Sequence, residues 1–214
     1  MKKRIAIIAG ATGLVGKEIL DGLLADENVA EVHSLSRRAL VIQHPKLVAH
    51  IVDFTKLPDL PPADEVYLAI GTTIKTAGSQ SAFRAIDFDT NLAVAKAAHA
   101  AGVKKVGLVS AMGANSGSAI FYSRVKGDLE AALAKMPFEG LVIARPSMLV
   151  GDRGAVGQPI RPGERWAALL GNVLGFLIPS NYKPIEAVAV ARALLSAVPQ
   201  ANGKAILLSG TMQH

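Results

Sequence analysis

The chain is 214 residues long, half of them hydrophobic and 19% charged, which excludes a disordered segment and fits one domain with a small appended lobe rather than two full domains. Cysteine is absent, so disulfides, thiolate nucleophiles and sulfur-ligated zinc are excluded, and a cytoplasmic location is expected. The formal charge of +6 suits an anionic partner, but the basic residues fall in short, separated clusters without interleaved aromatics, so no nucleic-acid partner is expected.

Lys2, Lys3 and Arg4 open an apolar run that stops at Gly10, with Glu18 and Asp21 soon after; this reads as a buried strand over Arg4 to Ala9 rather than a signal peptide. A helix over Leu14 to Leu24 follows the glycine turn directly. Further strands are expected over Glu31 to Leu35, Val48 to Val52, Glu65 to Ile70, Lys105 to Ser110 and Leu141 to Ala144, each a short Ile/Val/Leu-rich run suited to burial on both faces. Between them lie helices over Ser81 to Ala101, ended by Gly102, and over Ala119 to Lys135, ended near Pro137. After Pro146 the alternation weakens. The stretch Gly151 to Glu164 reads as a glycine- and proline-rich loop, and residues 151–183 as a small C-terminal substrate-side lobe. Trp166 to Tyr182 carries no charge, yet glycines and a proline interrupt it and it is shorter than the roughly 20 residues of a membrane span, so no span is expected. Within it, Leu169 to Ile178 reads as core, with a homo-oligomer contact as the alternative. A helix over Ile185 to Ala197 and a strand over Lys204 to Ser209 complete the chain. Strands alternating with helices in this way specify an α/β fold, a single domain over residues 1–214 with a doubly wound parallel sheet of the Rossmann kind.

The first chemical signal is Gly10-Ala11-Thr12-Gly13-Leu14-Val15-Gly16, set between strand and helix. One glycine permits the tight turn, a second lets a pyrophosphate approach main-chain N–H groups, and a third lets helix and strand pack closely. Gly10, Thr12, Gly13, Leu14 and Val15 are therefore candidate cofactor contacts. At the end of the second strand, an acidic residue would accept hydrogen bonds from a ribose 2′-hydroxyl. The sequence instead reads Ser36-Arg37-Arg38, whose guanidinium groups match a 2′-phosphate, so NADP(H) is expected in preference to NAD(H). The plain alternative is two exposed loop arginines. Ile70-Gly71-Thr72 ends the fourth strand at the carboxyl edge of the sheet, where doubly wound folds bind ligands, and Gly71 would let the backbone pass close to a nicotinamide ribose.

Tyr122 and Lys126 are four residues apart on a predicted helix and so share a face. A phenol titrates near pH 10 in water, so proton exchange at neutral pH calls for a nearby ammonium. Ser110, at the end of the fifth strand, can hydrogen-bond a substrate oxygen beside the tyrosine. His33, His44, His50, His99 and His214 show no metal-ligand spacing and read as lone, satisfied histidines, so no metal is expected. No G-x-S-x-G elbow surrounds Ser110, and no G-K-[ST] ending follows the glycine turn.

The glycine spacing and the Ser110, Tyr122, Lys126 set resemble the short-chain dehydrogenase/reductase superfamily in its extended and atypical branches. The runs GTTIKTAGSQSAFRAIDFDTNLAVAKAAHAAGV and VSAMGANSGSAIFYSRVKGDLEAAL, then ARPSMLVGDR, are similar to the Tat-interacting-protein-like reductases, described also as NAD-dependent epimerase/dehydratase-like. That resemblance implies bound NADPH and a catalytic Ser110, Tyr122, Lys126 triad. It also implies an adenine contact at Asp53-Phe54 and a turn at Arg145-Pro146-Ser147 beside the nicotinamide. Asp87 stands where many extended members have Asn, which puts the family's proton path in question. The implied function is NADPH-dependent hydride transfer to a small carbonyl or quinone-like substrate, with Tyr122 as general acid/base. Several atypical relatives are regulatory, so the alternative is a non-catalytic NADPH sensor with a regulatory protein partner.

Overall fold

The computed structural model describes residues 3–150 and 179–213. The expectations for Gly151 to Glu164, for Leu169 to Ile178 and for most of the 151–183 lobe lie outside the described residues.

Among the described residues, nine strands follow in chain order: β1 (Arg4–Ala9), β2 (Val29–Ser36), β3 (Leu47–Ile51), β4 (Glu65–Leu68), β5 (Lys105–Val109), β6 (Gly140–Arg145), β7 (Leu149–Val150), β8 (Ile185–Glu186) and β9 (Gly203–Leu208). The helices are α1 (Leu14–Ala25), α2 (Ile74–Ala77), α3 (Gln80–Arg84), α4 (Asn91–Ala100), α5 (Phe121–Ala134) and α6 (Ala187–Ala197). Seven strands form one parallel sheet in the order β3-β2-β1-β4-β5-β6-β9, while β7 and β8 form a separate parallel pair. The chain winds outward from β1 to β3, then crosses back to lay β4 against the other side of β1. This reversal opens a crevice at the carboxyl ends of β1 and β4, the place where open α/β sheets take ligands.

Consecutive strand residues serve opposite faces. Ile8 packs with Ile19 and Leu23 of α1 and Val190 and Leu194 of α6, whereas Ile7 packs with Val94 of α4 and Leu129 and Leu133 of α5. Both layers cover the central strands, which is why β1, β4, β5 and β6 read as apolar runs, whereas β3, expected to be buried on both faces, lies at the sheet edge with Val48 and Ile51 exposed. The helices on the first face approach closely, for a Cβ on Gly22 would lie 2.3 Å from Leu195 Cδ1.

Two departures from the sequence expectations matter for the site. The helix expected over Ser81 to Ala101 is divided: α3 passes into a π-turn over Ala85–Thr90 before α4 begins. The widened turn is held by Asn91, whose Nδ2 donates to the carbonyls of Asp87 and Ile70, each at 2.9 Å. The strand expected to reach Ile70 ends at Leu68, because Ala69 and Ile70 turn past Gly10. Gly10 has φ +98°, and a Cβ there would lie 2.5 Å from the Ala69 carbonyl carbon. Only glycine combines that backbone with that approach.

Candidate cofactor and catalytic site

The glycine turn supplies one wall of the crevice. Gly13 precedes α1 with no side-chain cap and no acidic residue in the helix's first turn. A Cβ on Gly16 would meet the Gly10 carbonyl oxygen at 2.0 Å, so the third glycine seats the helix on the turn. The Gly13 N–H is used within the turn, donating to Gly10 O at 2.9 Å, and the uncapped start of α1 beyond it, at Leu14 and Val15, presents a positive helix end suited to a diphosphate. Thr12 lies in this turn. The donor set therefore fits a dinucleotide.

At the far side of the crevice, β2 ends at Ser36, whose hydroxyl donates to the Arg38 carbonyl at 2.6 Å and folds the next residues back. Arg37 and Arg38 are exposed, and neither forms an ion pair among the described residues. The adjoining chain is fixed to the same strand end, with Val52 N–H donating to Ser36 O at 2.9 Å. Asp53 follows, exposed, its Oδ1 accepting from Thr55 N–H at 2.9 Å and Thr55 Oγ1 at 2.7 Å; these bonds hold its carboxyl below the usual carboxylate range. Phe54 packs half-buried against the core below.

The third wall is built on α5. Lys126, 5% exposed, places Nζ 2.7 Å from Oδ1 of Asp87, which the π-turn presents fully buried. Asp87 Oδ2 accepts from the Thr72 N–H at 2.8 Å, so one carboxylate ties together the β4 loop, the π-turn and α5. Burial pulls the Lys126 pKa down, but the Asp87 carboxylate, with smaller help from Tyr122 and Glu130, carries it above the ordinary lysine value. Gly71 lies against this pair: a Cβ there would be 3.5 Å from Asp87 Oδ1 and 3.7 Å from Lys126 Nζ. Tyr122, one turn earlier, is half-buried with its ring centroid 5.4 Å from that of the fully buried Phe83.

Ser110 continues from β5 and is 5% exposed. Its hydroxyl donates to Glu130 Oε1 at 2.5 Å, and Arg145, at the end of β6, closes a two-pronged pair with the same carboxylate. That fork raises the Arg145 pKa. Pro146 is buried, its carbonyl accepting from Met112 N–H at 2.9 Å. The Ser147 hydroxyl is taken up by the Lys183 carbonyl and by Ser209 Oγ at 2.9 Å, so it joins the turn after β6 to the C-terminal segment.

Of the residues singled out in the sequence, the structure gathers Gly10 to Val15, Ile70 to Thr72, Ser110 and Lys126 along one sheet edge. Arg37, Arg38 and Asp53 stand farther along that edge, beyond β2 and β3. Glu130 and Phe83 were not singled out, although Glu130 continues the four-residue spacing of Tyr122 and Lys126. The reading of the histidines as lone side chains is corrected. His33 Nδ1 lies 2.9 Å from His50 Nε2, and His33 Nε2 lies 2.8 Å from Glu31 Oε1. The parallel register of β2 and β3, which a sequence spacing of 17 does not reveal, brings them together. Among the described residues no group of three metal-ligating side chains is assembled, and no helix is long and apolar enough to cross a membrane.

The NAD(P)H-binding family model matches residues 10–145. Among curated proteins, the chain is 35% identical over 209 residues to protein FMP52, mitochondrial, of Coccidioides immitis, covering 89% of this chain and 83% of that one. It is 33% identical over 203 residues to protein HTATIP2 of Rattus norvegicus, covering 92% and 81%. Among solved structures it resembles Bordetella bronchiseptica WbmH in complex with NAD+, with a TM-score of 0.72 at 18% identity, covering 98% of this chain and 77% of that one. A UDP-N-acetylglucosamine 4-epimerase of Methanobrevibacter ruminantium gives 0.68 at 16%, covering 97% and 77%. At such identities these structures establish the Rossmann-like fold alone. The expectation of a cytoplasmic location is overturned, since the FMP52 relatives of Coccidioides immitis, Aspergillus terreus and Candida glabrata are all named mitochondrial. With the glycine turn, the parallel sheet and these relatives in agreement, the chain belongs to the NAD(P)H-binding family and is a homologue of HTATIP2.

Proposed function

We propose that the protein is an NADPH-dependent oxidoreductase acting on a small carbonyl or quinone-like substrate, with Tyr122 as the general acid/base. The observation that carries this reading is the placement of Lys126. It is buried on the same face of α5 as Tyr122, its ammonium is fixed by Asp87, and it lies against Gly71 at the ligand edge of the sheet.

When bound, the dihydronicotinamide supplies a hydride to the substrate carbon. Tyr122 gives its phenolic proton to the substrate oxygen, and Lys126, kept charged by Asp87, stabilises the phenolate left behind. Ser110 then accepts a hydrogen bond from the hydroxyl so formed and orients its oxygen beside the tyrosine. The start of α1 receives the diphosphate, and Arg37 with Arg38 receives the 2′-phosphate through charge-assisted hydrogen bonds. Buried Phe83 limits the swing of the Tyr122 ring.

The test follows NADPH absorbance against a panel of aldehydes, ketones and quinones, with Tyr122→Phe in parallel. Turnover that disappears in the variant while NADPH binding persists supports the reading. Turnover near wild type in Tyr122→Phe removes Tyr122 from the mechanism, and tight NADPH binding without any turnover favours the sensor alternative.

A further inference from the structure

Ser110 and Arg145 stand side by side at the ends of β5 and β6, where the Ser110 N–H donates to the Ala144 carbonyl at 2.8 Å. Facing them, α5 presents Glu130 on the same stripe as Tyr122 and Lys126 and only 3% exposed. Its Oε1 accepts the Ser110 hydroxyl at 2.5 Å and Arg145 Nε at 3.0 Å, and its Oε2 accepts Arg145 Nη2 at 2.5 Å. A carboxylate in a two-pronged pair with guanidinium is ionised and can only accept. The Ser110 proton is thereby committed to Glu130, and what Ser110 offers the cleft is its lone pairs.

We propose that Glu130, clamped by Arg145, is a positioning residue that fixes Ser110 as a hydrogen-bond acceptor, so that the site holds the hydroxyl member of a carbonyl–hydroxyl pair more tightly than the carbonyl. The inference rests on the hydride-transfer reading of the same site. For Ser110 to serve a carbonyl oxygen, its proton must leave a carboxylate that is only 3% exposed, and losing a charge-assisted hydrogen bond of this kind weakens binding by about tenfold or more. A ligand hydroxyl meets no such cost, because it brings its own proton to the Ser110 oxygen.

The state of the serine is tested without ligand or turnover. A hydroxyl proton donated to a buried carboxylate is shielded from solvent and exchanges slowly, so proton NMR of the free protein shows a slowly exchanging hydroxyl signal, and Ser110→Ala removes it. Its absence from the wild type, or its survival in Ser110→Ala, overturns the proposal. Because this signal does not depend on Tyr122, it separates failure of the proposal from failure of the hydride-transfer reading, which Tyr122→Phe kinetics decide. The ligand preference is read from complexes in which no hydride can move: cyclohexanol with NADPH and cyclohexanone with NADP+, followed by the Ala111 amide resonance. Wild type binds the alcohol about tenfold more tightly. Glu130→Gln, whose amide can donate to Ser110 and release its proton, loses that preference. Equal affinities in the wild type, a preference for the ketone, or no binding of either up to its solubility overturns the ligand preference. Ser110→Ala leaves the Glu130–Arg145 pair in place and must also erase the preference, so the test stands if Glu130→Gln does not fold.

Discussion

Replacing Asp87 by alanine isolates the buried ion pair. At 2.7 Å, with an effective dielectric constant of about 20, the attraction between Asp87 and the Lys126 ammonium is about 6 kcal/mol, against a desolvation cost of several kcal/mol for each ion. The variant keeps the cost of the buried ammonium and loses the attraction, and it also leaves the Thr72 N–H without its acceptor. A loss of about 3–5 kcal/mol in urea unfolding follows. The alkaline limb distinguishes this cause from a simple cavity. In the wild type the folded pKa of Lys126 is raised above 10.5, so its contribution is complete below that pH and is lost as pH rises through the folded value. In Asp87→Ala, burial acts unopposed by Asp87 and the folded pKa drops. If it drops below the unfolded value, the penalty is largest at neutral pH and lifts as pH rises toward about 10.5, reversing the slope. Adding Lys126→Met should recover most of the lost stability, since a buried pair replaced as a whole by apolar groups is often neutral. A loss under about 1 kcal/mol in the single variant, or a double variant no more stable than it, would refute the claim that the pair is coupled.

The other predictions concern the remaining parts of the site and the sheet. Arg37→Ala with Arg38→Ala should cut the ratio of NADPH to NADH affinity by about tenfold or more in fluorescence titrations, and an unchanged ratio would remove both from 2′-phosphate recognition. Gly16→Ala should destabilise the fold by about 1–3 kcal/mol and weaken NADPH binding, because the new methyl would lie 2.0 Å from the Gly10 carbonyl oxygen; a variant with wild-type affinity and melting temperature would contradict that packing. Burial holds His33 below its ordinary pKa, with His50 acting in the same direction and Glu31 against it. The unfolded chain therefore takes the proton first, so the stability contribution is present above about pH 6.5 and declines as pH falls toward the folded value. Urea midpoints between pH 7.5 and 5.5 should fall more in the wild type than in His33→Gln, and parallel curves would dismiss His33 as their cause.

The sheet was legible because each central strand is buried on both faces, and Ile7 and Ile8, pointing opposite ways, both have to be apolar. The glycine turn was legible for a related reason: Gly10 is forced by φ and by the approach of Ala69, and Gly16 by the approach of Gly10. The charged side chains behave differently. Glu130 is separated from Ser110 by 20 residues and from Arg145 by 15, and it reads in sequence as an ordinary polar position on an amphipathic helix. Only the ends of β5 and β6 show that its face of α5 is turned inward. The π-turn was hidden for the same reason, since Ser81 to Ala101 has good helical character throughout. What widens it is Asn91 reaching the Ile70 carbonyl on a different element. His33 and His50 needed the β2–β3 register before they could be seen as neighbours.

These pairings also decide where the crevice is positive. Lys126 and Arg145 bring two cations to the ligand edge, but Asp87 and Glu130 answer each of them within the protein, and the four formal charges cancel. Neither cation is left to attract a dinucleotide by charge. The remaining positive potential lies at the uncapped start of α1 and at Arg37 and Arg38, the positions suited to the diphosphate and the 2′-phosphate. On the proposed reading, attraction of the cofactor then falls to one end of the edge and proton handling to the other. Added salt should accordingly weaken NADPH binding in the wild type more than in the Arg37→Ala, Arg38→Ala variant, while the Asp87→Ala, Lys126→Met variant, which removes the cancelled pair as a whole, leaves the salt slope unchanged. A salt slope that is the same with and without the two arginines would place the attracting charge elsewhere.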